Sequence, residues 1–282
     1  MNPVSQNIDQ KTLDSFGEEW SKFRQTSLDK TEALRRFEEY FNVFPWDLLP
    51  PNPEGFDMGC GTGRWSQFVA PLVGRLHCID PAPKALVVAR SNLSRYANVD
   101  YHLGSVDDQC LPAESQDFGF SLGVLHHVPD TQAGIRDCVR MLKPGAPLLL
   151  YLYYAFDNRP FWFRLIWRIS DIVRRIVYRL PSGLKGFCSE VAALFIYYPF
   201  ARASTLLAYL GMDVSLIPLS YYRDCGFYTM RTDARDRLGT PLEYRYTRSQ
   251  IRLMCLGAGL CDIKFSQKAP YWVVVGLKKG DL

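Results

Sequence analysis

The sequence predicts an α/β protein. It should hold a mostly parallel sheet flanked by helices, preceded by a helical segment, interrupted late by a long helical insertion and closed by a hairpin. Three observations carry this expectation. From Gly55 onward, short apolar runs alternate with helical patterns, the rhythm of a parallel sheet. The first of those runs turns into its helix through a glycine-rich stretch, GFDMGCGTGRW. After Tyr154 the rhythm breaks, and about ninety residues rich in Phe, Trp, Tyr and Arg pass before recognisable elements resume.

The chain has 282 residues, 48% hydrophobic, 14% aromatic and 22% charged, which is enough apolar material for a sizeable core and argues against disorder. Its length lies near the point where one core stops growing, which fits one fold plus a cap. Lys+Arg 33 against Asp+Glu 29 gives a net charge of +4, too small to imply a nucleic-acid partner unless the basic residues cluster. The eight cysteines form no C-x-x-C pair and sit mostly in apolar runs. They read as buried hydrophobes in a reducing compartment, so neither a disulfide scaffold nor a metal site is expected. The N-terminus lacks a charged segment followed by an apolar one, and the uncharged run Val191 to Ala201 falls short of the ~18 residues of a spanning helix. A cytoplasmic protein is expected.

Taken in order, residues 1–54 read as a helical segment. Asp29 and Glu32 have capping-box spacing, and Leu34, Phe37 and Phe41 follow at i, i+3 and i+7. The stretch LLPPNPEG ends it. Residues 55–155 carry five strands, near Gly55 to Met58, Leu76 to Ile79, Val99 to Leu103, Phe118 to Leu122 and Pro147 to Tyr154. Residues 156–246 form the insertion. Within it Phe161, Leu165, Ile169, Ile172, Ile176 and Leu180 have the spacing of a core-facing helix stripe, with Arg164, Arg168, Arg174, Arg175 and Arg179 between them. A second apolar helix spans about Val191 to Tyr209 and bends near Pro199. Residues 247–282 hold a helix opened by the capping box Thr247-x-x-Gln250 and closed at Gly257 or Gly259, then a hairpin of Leu260 to Phe265 and Tyr271 to Leu277.

The glycine turn gains meaning from Asp80, which ends the second strand 17 residues past Gly63, about where an acid accepts both ribose hydroxyls of an adenosine-containing ligand. A dinucleotide fingerprint would need a third glycine at Arg64 or Ser66, and no G-K-[ST] exists in this turn to hold a triphosphate.

The run D-M-G-C-G-T-G resembles the first motif of class I S-adenosylmethionine-dependent methyltransferases, and Asp80 matches that family's ribose-binding acid. The resemblance continues in order through G-S-V-D-D-Q-C-L-P, D-F-G-F-S-L-G-V-L-H-H-V-P-D and L-K-P-G, covering roughly residues 55 to 155. It implies a Rossmann-like, mostly parallel seven-stranded sheet ending in an antiparallel hairpin, with S-adenosyl-L-methionine as cofactor. It further implies that Gly59, Cys60, Gly61 and Gly63 cradle the methionine end while Asp57 organises the loop. Ser105, Val106 and Asp107 would meet the adenine, with the amine contact open between Ser105 and Asp107, and Leu122 and Gly123 would lie beside the methionine moiety.

His126 and His127 follow the fourth strand at the end that faces the ligand crevice, so either can serve as general base toward an acceptor proton or simply hydrogen-bond backbone. The aromatic residues of the N-terminal segment and insertion, among them Trp20, Phe23, Tyr40, Tyr153, Trp162 and Tyr222, point to an enclosed apolar pocket for a small-molecule acceptor. Charges of both signs from Arg231 to Arg245 more often pair with one another than bind a ligand. The arginine-bearing helix is read as a cap with a solvated basic face in preference to a membrane-surface helix. A lipid or quinone acceptor at a membrane and a non-catalytic cofactor-binding scaffold are the alternatives. The fourth-strand motif lacks [DN]-P-P-[YF], which argues against a nucleic-acid base as acceptor. The sequence carries no sign of oligomeric state.

Overall fold

The computed structural model describes residues 7–15 and 30–280. Asp29, Trp20 and Phe23, named above for a cap and for aromatic content, lie outside the described residues. The chain divides into two compact units. The first carries the sheet and takes in residues 34–155 and 242–280 together with 7–15. The second is helical and takes in 156–241 with residues 30–33.

In the sheet-bearing unit the strands are β1 (Glu54–Met58), β2 (Arg75–Asp80), β3 (Val99–Leu103), β4 (Phe118–Leu122), β5 (Pro147–Tyr151), β6 (Leu260–Phe265) and β7 (Val273–Lys278). They form one seven-stranded sheet in the order β3-β2-β1-β4-β5-β7-β6. β1 to β5 pair in parallel, and β7 runs antiparallel to both β5 and β6. The central strands are buried on both faces, as helices on either side require. Two glycines make the middle of this sheet possible. A Cβ on Gly55 would lie 2.3 Å from the Phe118 ring, and one on Gly119 would lie 2.2 Å from the Phe56 ring, so each glycine yields its place to the phenylalanine of its neighbour.

Helices α1 (Lys30–Phe41), α2 (Ser66–Val69), α3 (Pro83–Asn92), α4 (Thr131–Met141) and α9 (Arg248–Gly257) accompany the strands. Phe37 and Phe41 of α1 enter the core with Phe44, Phe118 and Phe120, whereas Leu34, counted with them in the sequence pattern, is exposed. The expected capping box holds: Thr247 Oγ1 accepts from the Gln250 amide, and Gln250 Oε1 accepts from the Thr247 amide. The fifth strand ends at Tyr151, three residues earlier than expected, because Tyr154 instead bridges to Tyr246. Residues 242–246, read from sequence as part of the insertion, belong with the sheet.

The helical unit consists of α5 (Phe161–Val177), α6 (Ser182–Ala192), a π turn (Ala193–Tyr197), α7 (Tyr198–Tyr209) and α8 (Phe227–Gly239). α6, the π turn and α7 make one continuous 28-residue helix, Ser182–Tyr209, with Pro199 at the start of α7 just past the π turn. By length and composition it is apolar enough to cross a membrane, and it extends well beyond the uncharged run Val191 to Ala201 weighed in the sequence. A small core of Ala193, Tyr197, Ala201, Cys225, Met230 and Ala234 joins this helix to α8. Glu32 supplies what Gly226 lacks as the cap of α8, its carboxylate accepting from the Gly226 amide at 3.0 Å and the Thr229 hydroxyl at 2.7 Å.

A second correction concerns α5. The row expected to face a core, Phe161, Leu165, Ile169, Ile172 and Ile176, is exposed. The buried side holds Arg174 and Val177. Arg174 donates to Asp171 and, through Nη1, to the Thr240 carbonyl at 2.8 Å, so it is a structural residue and no part of a solvated basic face.

Candidate active site

The carboxyl ends of β1, β2, β4 and β5 lie side by side, the usual location of a ligand crevice in an open parallel sheet. At the end of β1 the chain turns through Gly59, Gly61 and Gly63, all with positive φ. Gly59 is required twice over, since its φ is +77° and a Cβ would meet the Val124 methyls at 2.5 Å. The loop is tied to β2: the Gly59 and Cys60 amides donate to the Ile79 carbonyl, and the Gly61 amide donates to Asp80 Oδ2 at 2.8 Å. Asp80 Oδ1 accepts from the Ala82 amide at 2.8 Å, which fixes the carboxylate while leaving each oxygen a further lone pair.

Asp57 is buried beneath the same loop and accepts from Ser66 Oγ at 2.6 Å. Burial pushes its carboxyl up to about 7, against the lowering by Ser66 and with a further push from Asp80. Burial likewise raises Asp80 to about 6, although the Ala82 and Gly61 amides pull it down. Cys60 is buried against Cys78, whose neighbouring thiol raises its pKa well above the ordinary value, so it is an unreactive packing residue of the cradle.

At the end of β4, Leu122 is buried and Gly123 has φ +81°, with nothing within 4 Å of where its Cβ would stand. Open space beside a left-handed glycine at a strand end is room for a ligand. At the end of β3 the Ser105 amide donates to Asp108, Ser105 Oγ donates to Asp107, and Asp107 Oδ2 accepts from the Asn7 amide at 2.8 Å. Val106 turns its side chain into the core. Asn7 also bonds Asp130 in both directions, so the N-terminal segment is laced to this corner of the crevice. Nothing in the sequence pattern flagged Asn7.

His126 and His127 sit in a single 3-10 turn after Gly123, and both are buried. They differ. The Nδ1 of His127 lies 2.7 Å from the Leu242 carbonyl, which only accepts, so Nδ1 carries a proton. His126 has neither ring nitrogen hydrogen-bonded among the described residues, and its ring stacks on Tyr153 with centroids 3.8 Å apart. Burial first, then the neighbouring His127 and Arg245, hold its pKa well below the usual imidazole range, so it stays neutral.

Segment 242–246 completes this corner. The Tyr244 amide donates to the His126 carbonyl, Tyr246 and Tyr153 share a backbone bond, and Arg245 stacks over the Tyr153 ring at 5.0 Å. Arg245 pairs with Glu243 at 2.7 Å, both nearly buried, so these two charges do pair with each other as expected, while Arg231 pairs with Glu190. Trp65, Tyr40, Tyr151 and Tyr153 continue the wall, each ring within 6 Å of the next. The sequence pattern placed Glu243 and Arg245 on an insertion, and only the backbone pairing of 242–246 brings them to the histidines.

A methyltransferase domain model matches residues 56–150. A ubiquinone biosynthesis O-methyltransferase of Xanthomonas campestris pv. campestris is 36% identical over 194 residues, covering 61% of this chain and 79% of the relative. The corresponding enzyme of Xanthomonas oryzae pv. oryzae is 44% identical over 143 residues, 49% of this chain and 58% of the relative. Among solved structures, the putative methyltransferase of Haloferax volcanii, determined with its Trm112 activator, superposes with TM-score 0.55 at 13% identity over 96% of this chain and 99% of the other. The chain belongs to the class I S-adenosylmethionine-dependent methyltransferases. It is an enzyme of that class, which sets aside the reading as a non-catalytic scaffold.

The cradle fits the cofactor. The glycine loop turns through positive φ at Gly59, Gly61 and Gly63, nothing lies within 4 Å of where a Cβ on Gly123 would stand, and Asp57 and Asp80 supply buried carboxylates. S-adenosylmethionine supplies a methyl group already activated on a sulfonium sulfur.

Proposed function

We propose that this enzyme methylates a hydroxyl oxygen on the aromatic ring of a small, lipid-soluble quinone precursor. The observation that carries the reading is His127, whose ring is oriented through Nδ1 by the Leu242 carbonyl in the 3-10 turn that follows Gly123 at the carboxyl end of β4. A phenolic hydroxyl, with pKa ~10, needs its proton removed as oxygen becomes a nucleophile, and a neutral imidazole is suited to that task at neutral pH. The O-methyltransferase relatives in ubiquinone biosynthesis support the same acceptor class.

In this reading Asp80 holds the ribose hydroxyls. Asp57, with Gly59, Cys60, Gly61 and Gly63, shapes the methionine side, and Leu122 and Gly123 bound it. Ser105 and Val106 present backbone to the adenine, and Asp107 faces its amine. His127 is the base. His126 stays neutral, keeps the Tyr153 ring in place and helps exclude water. The aromatic wall from Tyr40 to Tyr153 supplies apolar surface for the acceptor ring. Eight free cysteines support a reducing, cytoplasmic setting.

The test is turnover with catechol- and hydroquinone-type acceptors, read as S-adenosylhomocysteine and methyl ether. His127→Ala is expected to lower kcat by about 10²-fold or more. Its cofactor affinity should be unchanged, and the residual activity should recover as pH approaches the acceptor's own pKa. Methylation confined to amine acceptors, or a His127→Ala enzyme with full kcat, overturns the assignment.

A further inference from the structure

The helical unit presents outward what a protein of this size ordinarily buries. Along α5, Phe161 is 74% exposed and Ile172 60%, with Leu165, Ile169 and Ile176 in the same row. Arg164, Arg168, Arg175 and Arg179, at i, i+4, i+11 and i+15, run as an exposed ridge beside them. The helix Ser182–Tyr209 behaves alike: only 22% of its apolar window is buried, and Phe187, Leu194, Phe195, Leu206 and Tyr209 are exposed. Exposed apolar rows on two helices of one unit mark an interaction site, since a monomer in water rarely tolerates more than a few hundred Å² of contiguous apolar surface.

We propose that this face docks the enzyme on an anionic lipid bilayer, with α5 and the Ser182–Tyr209 helix lying in the interface and not across it. Charge selects the occupant. Between Pro160 and Met212 the only acids are Asp171 and Glu190, and both are engaged, with Arg174 and Arg175 and with Arg231. A second copy of the same face would therefore set arginine ridge against arginine ridge with no carboxylate to answer, whereas lipid phosphates complement it. An apolar stripe flanked by arginines whose stems also cover apolar surface is the pattern of an interfacial helix.

Packing decides between lying on the bilayer and spanning it. The buried edge of the Ser182–Tyr209 helix, through Ala193, Tyr197 and Ala201, packs on Met230 and Ala234 of α8. α8 also carries Arg231, Asp233, Arg235, Asp236 and Arg237. A spanning helix would draw those charges into hydrocarbon, while a helix lying in the interface leaves them on the water side. The proposal concerns this unit's own surface and does not depend on which acceptor the enzyme methylates.

Flotation of the full chain with vesicles tests it. Binding is expected with phosphatidylcholine–phosphatidylglycerol vesicles, and weaker binding with phosphatidylcholine alone. Leu165→Ser/Ile169→Ser/Ile172→Ser should lose more than about tenfold in vesicle affinity. Arg164→Gln/Arg168→Gln/Arg179→Gln should lose on the order of 100-fold and most of the salt sensitivity. The substituted side chains point outward, and an unchanged melting temperature together with unchanged S-adenosylhomocysteine affinity confirms that both variants are folded. Three outcomes overturn the proposal. One is failure to float with either vesicle. Another is a solution dimer that the serine variant dissociates while vesicles leave it unbound. The third is bound protein that resists alkaline carbonate, which would make the helix a spanning one.

Discussion

The two units of this chain treat apolar side chains in opposite ways. In the sheet-bearing unit Phe56, Phe118, Phe120 and Leu148 are fully buried, and neighbouring strands give up side chains at Gly55 and Gly119 to make room. In the helical unit the apolar row of α5 faces out, and a buried arginine, Arg174, faces in. The difference teaches that amphipathic periodicity reports a stripe and not what covers it. The sheet unit satisfies its stripes internally, and the helical unit leaves the stripe of α5 exposed.

The comparison breaks first at the largest effect. Phe120→Ala removes a ring that Phe41 meets edge-on at 5.3 Å in the fully buried centre of β4, and should cost about 3–5 kcal/mol in urea denaturation. A cost near 1 kcal/mol would mean that the sheet unit is packed as loosely as the helical unit's surface.

The next effect belongs to the site and has a sign. Asp57 is raised in the folded protein to about 7 from an ordinary 3.8. Between those values the folded state holds a proton that the unfolded chain has released, so stability of the ligand-free protein falls as pH rises through that window and levels above about 7. Asp80 adds the same slope up to about 6. Asp57→Asn should therefore raise the ligand-free melting temperature at pH ~8, by an amount equivalent to a few kcal/mol at most, flatten the slope and weaken S-adenosylhomocysteine binding. Melting curves across this range check it, and an unaltered slope would remove Asp57 from the account.

Much of the sheet unit was legible because its signals are local. β3 and β4 fall on the expected residues, Thr247 caps its helix, and the glycine turn and Asp80, paired in the sequence reading, are joined by the bond from the Gly61 amide to Asp80 Oδ2. What sequence could not supply depends on distant contacts. Glu32 caps α8 across a separation of 194 residues, Leu242 orients the His127 ring across 115, and Asn7 reaches Asp107 across 100. The side of α5 that is buried escapes the sequence pattern for a related reason. Phe161 to Ile176 have the spacing of a core stripe, and helical spacing is the same whether the stripe meets protein or lipid. The arginine row was the available clue, and Arg174, buried and bonded to Thr240, was the member of it that did not belong.

The smallest effect sharpens the comparison most. Ile172 is 60% exposed on α5, and isoleucine and serine have nearly equal helix propensity. Ile172→Ser removes no buried surface and opens no cavity, so unfolding free energy in aqueous buffer should change by no more than about 0.5 kcal/mol. The same substitution in a buried row, such as Leu148→Ser in β5, combines a cavity with a buried hydroxyl and falls in the range of several kcal/mol. Parallel urea titrations of the two variants measure the contrast directly. If Ile172→Ser destabilised the protein in buffer as Leu148→Ser does, the α5 row would be covered by protein in solution. A neutral Ile172→Ser that nevertheless releases the enzyme from anionic vesicles would place the missing partner of that row outside the chain.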